Sequence, residues 1–149
     1  MRYLCIDLGD KRTGLAIGDP QTRLITPLDV LETPLAQRGG EALLDALARA
    51  VEDQLGPAPG ELVVGLPLNM DDTEGPRARL VREFAARLAA RCSRPVRFQD
   101  ERLSSAAADW SMARSGMTRG EKKQRRDARA AAAILGDFLQ SLPRPDARA

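Results

Sequence analysis

The sequence predicts an α/β domain in which helices flank a five-stranded mixed sheet. Two observations predict this class: apolar runs of strand character alternate with segments of helical periodicity, and three strands precede the first helix. Strands joined by tight turns pair antiparallel, whereas strands separated by a helix pair parallel. We therefore expect the first three strands to be antiparallel and the later ones parallel. The 149 residues suffice for one core, which predicts a single domain over residues 1–142 and a disordered, proline-containing tail over residues 143–149.

The N-terminal third is expected to contain three strands. Residues 3–7 and 13–18 are rich in aliphatic side chains and are separated by a polar turn, which predicts a hairpin. Residues 24–31 follow as a third extended segment. The first of these strands is apolar enough to be buried on both faces, yet it ends in Asp7.

The rest of the chain alternates helix and strand. The expected elements are, in order, a helix over 40–54, a strand over 62–66, a helix that stops before Pro95, a strand over 96–99 and a helix over 104–114. Residues 115–124 are polar, basic and without periodicity, which predicts a mobile loop. A last helix is expected over 125–142, ending before Pro143.

The composition excludes several kinds of chemistry. The chain has no histidine, so a Ser-His-Asp triad, a histidine-ligated zinc site and a nuclease with a histidine base are all excluded. Cys5 and Cys92 are far apart and lack the spacing of a metal or redox motif. Any acid–base or metal chemistry must therefore use carboxylates.

The charge distribution indicates where a polyanion would bind. The net charge is only +2, but residues 114–129 carry seven cations and two anions.

No apolar run is long enough to span a bilayer, and Asp7 comes too early for a signal peptide. We therefore expect a cytoplasmic protein without a membrane partner.

Carboxylates occupy three places where apolar or structural residues would be expected. Asp7 ends the first strand, Asp100 and Glu101 end the fifth, and Asp127 opens the apolar face of the last helix. Strand ends converge in a sheet of this type, and hard oxygen ligands suit Mg²⁺ or Mn²⁺. Two such ions could activate water and stabilise the leaving oxygen of a phosphodiester. Taken singly, each acid could instead be a turn former, a helix-terminal charge or an ion-pair partner.

Four motifs along the chain resemble those of the YqgF family, also called RuvX. They are, in order, IDLG at 6–9 with RTGLA at 12–16, VVGLPLNM at 63–70, DERLSS at 100–105, and Asp127 with the following AA at 131–132 and IL at 134–135. The resemblance covers nearly the whole chain. One small departure is the serine pair at 104–105, where the family usually has a threonine nearby.

The resemblance implies a fold and an activity. Members of the family have an RNase H-like fold related to the RuvC Holliday-junction resolvases, and they are described as resolvases and as nucleases that process the 5′ end of pre-16S rRNA. By motif position, the resemblance implies catalytic, metal-binding roles for Asp7, Glu101 and Asp127. Asp100 ranks below them as a metal ligand because adjacent strand residues point to opposite faces. Pre-16S rRNA or branched DNA is the implied partner, and the symmetry of resolvases raises the possibility of a homodimer.

Several side chains are candidates for binding the nucleic-acid backbone. Lys11 and Arg12 follow the catalytic strand, and Asn69 lies in a loop beside the expected site. The basic run upstream of Asp127 would strengthen binding to the phosphate backbone but would hardly distinguish one nucleotide sequence from another. Its members are Arg119, Lys122, Lys123, Arg125 and Arg126. The alternatives are exposed hairpin charges, a turn-capping asparagine and a solvated charge run.

The sequence is compatible with three functions. The first is a metal-dependent nuclease, acting on rRNA or, as the runner-up, on Holliday junctions. The second is an actin-like or sugar-kinase-like ATPase, which the length and the lack of a second glycine-rich hairpin disfavour. The third is a non-catalytic RNA-binding factor in ribosome assembly with a vestigial metal site.

Overall fold

The described strands form one sheet with β1 at its centre. The computed structural model describes residues 1–101 and 119–143, with side chains in the second range from residue 127 onward. The strands are β1 (Arg2–Asp7), β2 (Thr13–Gly18), β3 (Ile25–Leu31), β4 (Gly60–Leu66) and β5 (Val96–Asp100). Their spatial order is β3-β2-β1-β4-β5. The β1–β2 and β2–β3 pairs are antiparallel, and the β1–β4 and β4–β5 pairs are parallel, so the expected mixed sheet is confirmed.

Within the described residues, three helices cover the sheet. They are α1 (Glu41–Leu55), which follows a short 3₁₀ turn, α2 (Pro76–Cys92) and α3 (Arg119–Ser141). Helix α2 begins with proline, whose missing N–H costs nothing at that position. None of the helices within the described ranges has the length and apolar content that a membrane span requires.

Alternation along β1 divides the core into two layers. Leu4 and Ile6 point to one side, where they pack with apolar residues of α1 and α2. Tyr3 and Cys5 point to the other side and pack against α3. The same alternation places Asp7 on the α3 side of the sheet.

The apolar stripe predicted for the last helix is confirmed. Ala131, Ile134 and Leu135 are fully buried, Phe138 is nearly so, and the ring of Phe138 meets that of Tyr3 edge to face. The stripe anchors α3 across β1 and β2, and with it the backbone of Asp127.

The predicted start of this helix was wrong. Helix α3 begins at Arg119, so residues 119–124 are helical where a loop was expected. Glu, Lys, Gln and Arg are good helix formers, and a segment without an apolar stripe can still continue a helix that packs further along. Residues 115–118 of that loop, the helix expected over 104–114 and tail residues 144–149 lie outside the described residues.

Candidate active site

The carboxyl ends of the parallel strands bring two acids to one edge of the sheet. Asp7 is the last residue of β1, and Glu101 directly follows β5. The backbone N–H of Glu101 donates to the carbonyl of Leu66 at 3.4 Å, which holds the residue against the end of β4, the strand between β1 and β5. The side chains of Asp7 and Glu101 can therefore meet across β4.

Asp7 and Glu101 form a hydrogen-bonded carboxyl pair. Burial raises the pKa of Asp7 to about 8, and the negative charges of Glu101 and then Asp127 contribute to the rise. Burial also raises the pKa of Glu101, although the hydrogen bond from Asp7 opposes the shift. The hydrogen bond between them raises the pKa of Asp7 and lowers that of Glu101, so Asp7 is the member of the pair that keeps its proton to the higher pH.

Asp127 lies near the pair but has a cationic partner of its own. Its Oδ2 is 3.1 Å from Nε of Arg12, and both side chains are about one-third exposed. Its charge still contributes to the raised pKa of Asp7. The structure therefore brings Asp7 and Glu101 into direct contact and places Asp127 within electrostatic range of Asp7.

Two glycines on the strands beside β1 make room for the other acids. Gly14 of β2 pairs with Asp7, and a Cβ at Gly14 would collide with the backbone carbonyl of Asp127. On β4, a Cβ at Gly65 would lie 2.6 Å from Oε2 of Glu101 and 2.9 Å from Cδ1 of Ile134. Glycine at both places lets α3 and Glu101 approach Asp7.

The donor set has the chemistry of a site for a divalent cation. All three acids offer hard oxygen ligands, and the ionised forms of Asp7 and Glu101 lack full compensation because burial, followed by neighbouring negative charge, raises the pKa of both. A cation would supply that compensation. Among the described residues, no three Asp, Glu, Cys or His side chains are already grouped closely enough to surround one ion. Asp7 and Glu101 are therefore the central ligand candidates, and Asp127 is shared with Arg12.

The other predicted site residues are placed as follows. The negative charge of Asp100 contributes to the raised pKa of Glu101. Lys11 is exposed on the β1–β2 turn. The amide of Asn69 donates to Oγ1 of Thr73 at 3.0 Å, and its backbone N–H bonds the carbonyl of Thr73, so Asn69 stabilises its own loop.

The basic residues upstream of Asp127 are placed by their backbone alone. They lie in the first two turns of α3, and their side chains lie outside the described residues; they are Arg119, Lys122, Lys123, Arg125 and Arg126.

Sequence reasoning missed Gly14, Gly65 and Arg77. The two glycines carried a usable signal, because glycine inside a strand often marks a close backbone approach. Arg77, in the first turn of α2, lowers the pKa of both Asp7 and Glu101 by its charge. No periodicity or motif in the sequence distinguishes it from the other arginines of that helix.

Comparison with known proteins agrees with this architecture. The structure of Thermus thermophilus RuvC superposes with a TM-score of 0.55 over 94% of this chain and 96% of the other, at 15% identity. At that identity the likeness concerns the fold, and it confirms the expected RNase H-like α/β class.

Sequence relatives extend along nearly the whole chain. A protein of Anaeromyxobacter sp. (strain Fw109-5) named "Putative pre-16S rRNA nuclease" is 43% identical over 139 residues, covering 93% of this chain and 96% of its own length. A Methylocella silvestris protein of the same name is 37% identical over 148 residues, covering 99% of this chain and 88% of its own. The family model for RuvX, described as Holliday junction resolvase, matches residues 1–141. By both the family match and the identity to its relatives, this chain belongs to the RuvX (YqgF) family.

Proposed function

We propose that this protein is a divalent-metal-dependent nuclease that hydrolyses phosphodiester bonds in structured nucleic acid, and that it processes the 5′ end of pre-16S rRNA in the cytoplasm. The observation that carries the proposal is the buried Asp7–Glu101 pair, with Asp127 close enough to add to its charge. The names of the relatives support the choice of substrate.

The residues proposed to hold the metal are Asp7, Glu101 and Asp127, with Asp100 as a further ligand candidate. Two Mg²⁺ or Mn²⁺ ions would supply charge stabilisation and water activation for phosphodiester hydrolysis. The protein's own contribution is to hold the carboxylates at a sheet edge backed by a packed core. Glycine at positions 14 and 65 permits their close approach.

Basic side chains near this edge are proposed to hold the substrate backbone. Arg12 is one-third exposed and lies 3.1 Å from Asp127, so a substrate phosphate would compete with Asp127 for its guanidinium. Lys11, Asn69 and the basic first turns of α3 are proposed to extend the contact along the backbone.

Holliday-junction resolution is the second candidate function, and the description of the matching family favours it. A resolvase cuts two strands symmetrically and so requires a two-fold dimer. A junction substrate and a dimer in solution would support this candidate together.

A parallel cleavage assay tests the proposal. The substrates are a pre-16S rRNA leader, single-stranded RNA, single-stranded DNA and a four-way DNA junction, each with Mg²⁺, Mn²⁺ or EDTA. We expect metal-dependent cleavage of the rRNA leader and its loss, by at least about 10³-fold, in Asp7→Asn. The matched control is Asp29→Asn, which removes an exposed carboxylate from β3 of the same sheet and should leave cleavage unchanged.

The outcomes separate the candidate functions. Preferential cutting of the junction would replace rRNA processing by junction resolution. RNA binding without cleavage of any substrate would indicate the non-catalytic assembly factor. Full activity in Asp7→Asn would show that cleavage does not depend on the carboxylate site.

A further inference from the structure

Arg77 links the β1–β2 turn to the start of α2 beside the acids. Its Nη2 donates to the carbonyl of Leu8 at 3.0 Å, and Leu8 directly follows Asp7. Its Nη1 donates to Oδ1 of Asp10 in the same turn. Two acceptors of the β1–β2 turn thus fix the plane of the guanidinium.

The position of Arg77 brings a positive charge to both members of the carboxyl pair. That charge lowers the pKa of Asp7 and also that of Glu101, against the larger effect of burial. By contrast, Arg12 forms its ion pair with Asp127. The two arginines therefore serve different acids of the same cluster.

The guanidinium of Arg77 is held in place without being enclosed. Its side chain is 36% exposed, whereas that of Asp10 is 80% exposed. A guanidinium has five N–H donors, and the contacts with Leu8 and Asp10 are made by one nitrogen each. Among the described residues, these two contacts leave further N–H donors for an anion that approaches the sheet edge, and a preorganised guanidinium suits the geometry of a phosphate.

A purely structural role would explain less of this arrangement. Ion pairs as exposed as Arg77–Asp10 contribute little to stability, typically less than about 1 kcal/mol. A lysine could join the turn to α2 but could not bond both acceptors with a rigid planar group. The placement of the charge beside the acids is what a substrate-binding role requires.

We propose that Arg77 binds a phosphate of the nucleic-acid substrate at the Asp7–Glu101 edge, and that Asp10 is a positioning residue that holds the guanidinium there. The inference rests on the proposed nuclease function and adds a substrate contact to that site. Only the phosphate group, common to RNA and DNA, is recognised by this contact.

Binding measured without metal tests this inference separately from cleavage. Fluorescence anisotropy of a labelled rRNA leader, recorded in EDTA over a series of salt concentrations, measures the binding affinity. The proteins compared are the unmodified protein, Arg77→Gln, Arg77→Lys and the control Arg79→Gln. Arg79 is an exposed cation two residues further along α2. We expect Arg77→Gln to weaken binding about five- to ten-fold and to reduce the slope of log K against log salt by about one. The affinity of Arg77→Lys should lie between those of Arg77→Gln and the unmodified protein. Arg79→Gln should change the affinity less than two-fold.

The Asp10→Asn background tests the positioning role. If Asp10 holds the guanidinium, Arg77→Gln should cost less affinity in Asp10→Asn than in the unmodified protein. Equal losses in the two backgrounds would overturn the role of Asp10. Circular dichroism and thermal denaturation confirm that each variant is folded.

The binding results distinguish a failure of the Arg77 contact from a failure of the proposed nuclease function. Unchanged binding in folded Arg77→Gln, or an equal loss in Arg79→Gln, would overturn the contact at Arg77 while leaving the proposed nuclease in place. Failure of the unmodified protein to bind any nucleic acid would contradict the proposed function, and this inference with it.

Discussion

At the scale of single residues, Asp7 is the acid whose ionised form the site disfavours most strongly. It combines burial with two neighbouring acids, and its pKa rises to about 8. A carboxylate in this position destabilises the metal-free fold, because ionisation is harder in the folded than in the unfolded chain. A cation that binds between the acids would offset this unfavourable ionisation.

Removing this carboxylate should stabilise the metal-free protein. In EDTA, we expect Asp7→Asn to raise the free energy of unfolding by about 2 kcal/mol at pH 7, after allowance for relaxation of the site. The unfolded carboxyl ionises near its ordinary value while the folded one stays protonated. The unmodified protein therefore loses stability as the pH rises from about 4 towards the folded pKa of about 8.

Chemical denaturation at pH 4, 6 and 8 measures this difference. The gap between the variant and the unmodified protein should be small at pH 4 and largest at pH 8, and Asp29→Asn should show no such trend. A gap that does not vary with pH would contradict the assigned protonation of Asp7.

The three acids could be predicted from the sequence, whereas their contacts could not. Asp7 was a candidate because a charge at the end of a buried apolar strand is costly without compensation, and Glu101 was placed above Asp100 by its motif position in the family resemblance. The ion pair of Asp127 with Arg12 depends on how α3 crosses β2, which residue types alone do not specify. For the same reason, Arg77 had no signal in the sequence.

At the scale of elements, the approach of α3 to β2 determines where Asp127 lies. Gly14 is the contact point, since its missing side chain leaves room for the backbone of Asp127. The apolar stripe of α3 supplies the packing energy for this approach. Helix and strand together place the acid beside Asp7.

A methyl group at this contact should displace the helix. We expect Gly14→Ala to lower the free energy of unfolding by about 2–3 kcal/mol, because the new Cβ meets rigid backbone, and to reduce cleavage as Asp127 moves away. The matched control is Gly136→Ala within α3, where a Cβ would lie 3.5 Å from Cδ1 of Ile25, an ordinary contact. That control should be neutral or stabilising by about 0.5–1 kcal/mol.

Urea denaturation and the cleavage assay check both glycine variants. Equal stability in Gly14→Ala and the unmodified protein would show that α3 does not press on β2 at this point.

Only part of α3 could be predicted from the sequence. Periodicity predicted its buried half, whereas its start was missed because residues 119–124 carry no apolar stripe.

At the scale of the whole molecule, β1 lies at the centre of the sheet between two core layers. The strand directions could be predicted because the first strands are joined by tight turns and the later ones by helices, whereas the order of the strands across the sheet came from the structure. That topology carries Asp7 and Glu101 to one edge. A homodimer remains a prediction, and measurements of the molecular mass in solution test it.

The proposed nuclease requires a cation to bind to the clustered acids. Isothermal titration of Mn²⁺ into the unmodified protein, Asp7→Asn and Asp29→Asn measures this without requiring activity. We predict saturable binding to the unmodified protein and to Asp29→Asn, and at least about ten-fold weaker binding to Asp7→Asn. Equal affinity in all three proteins, or no binding to any of them, would contradict the carboxylate metal site.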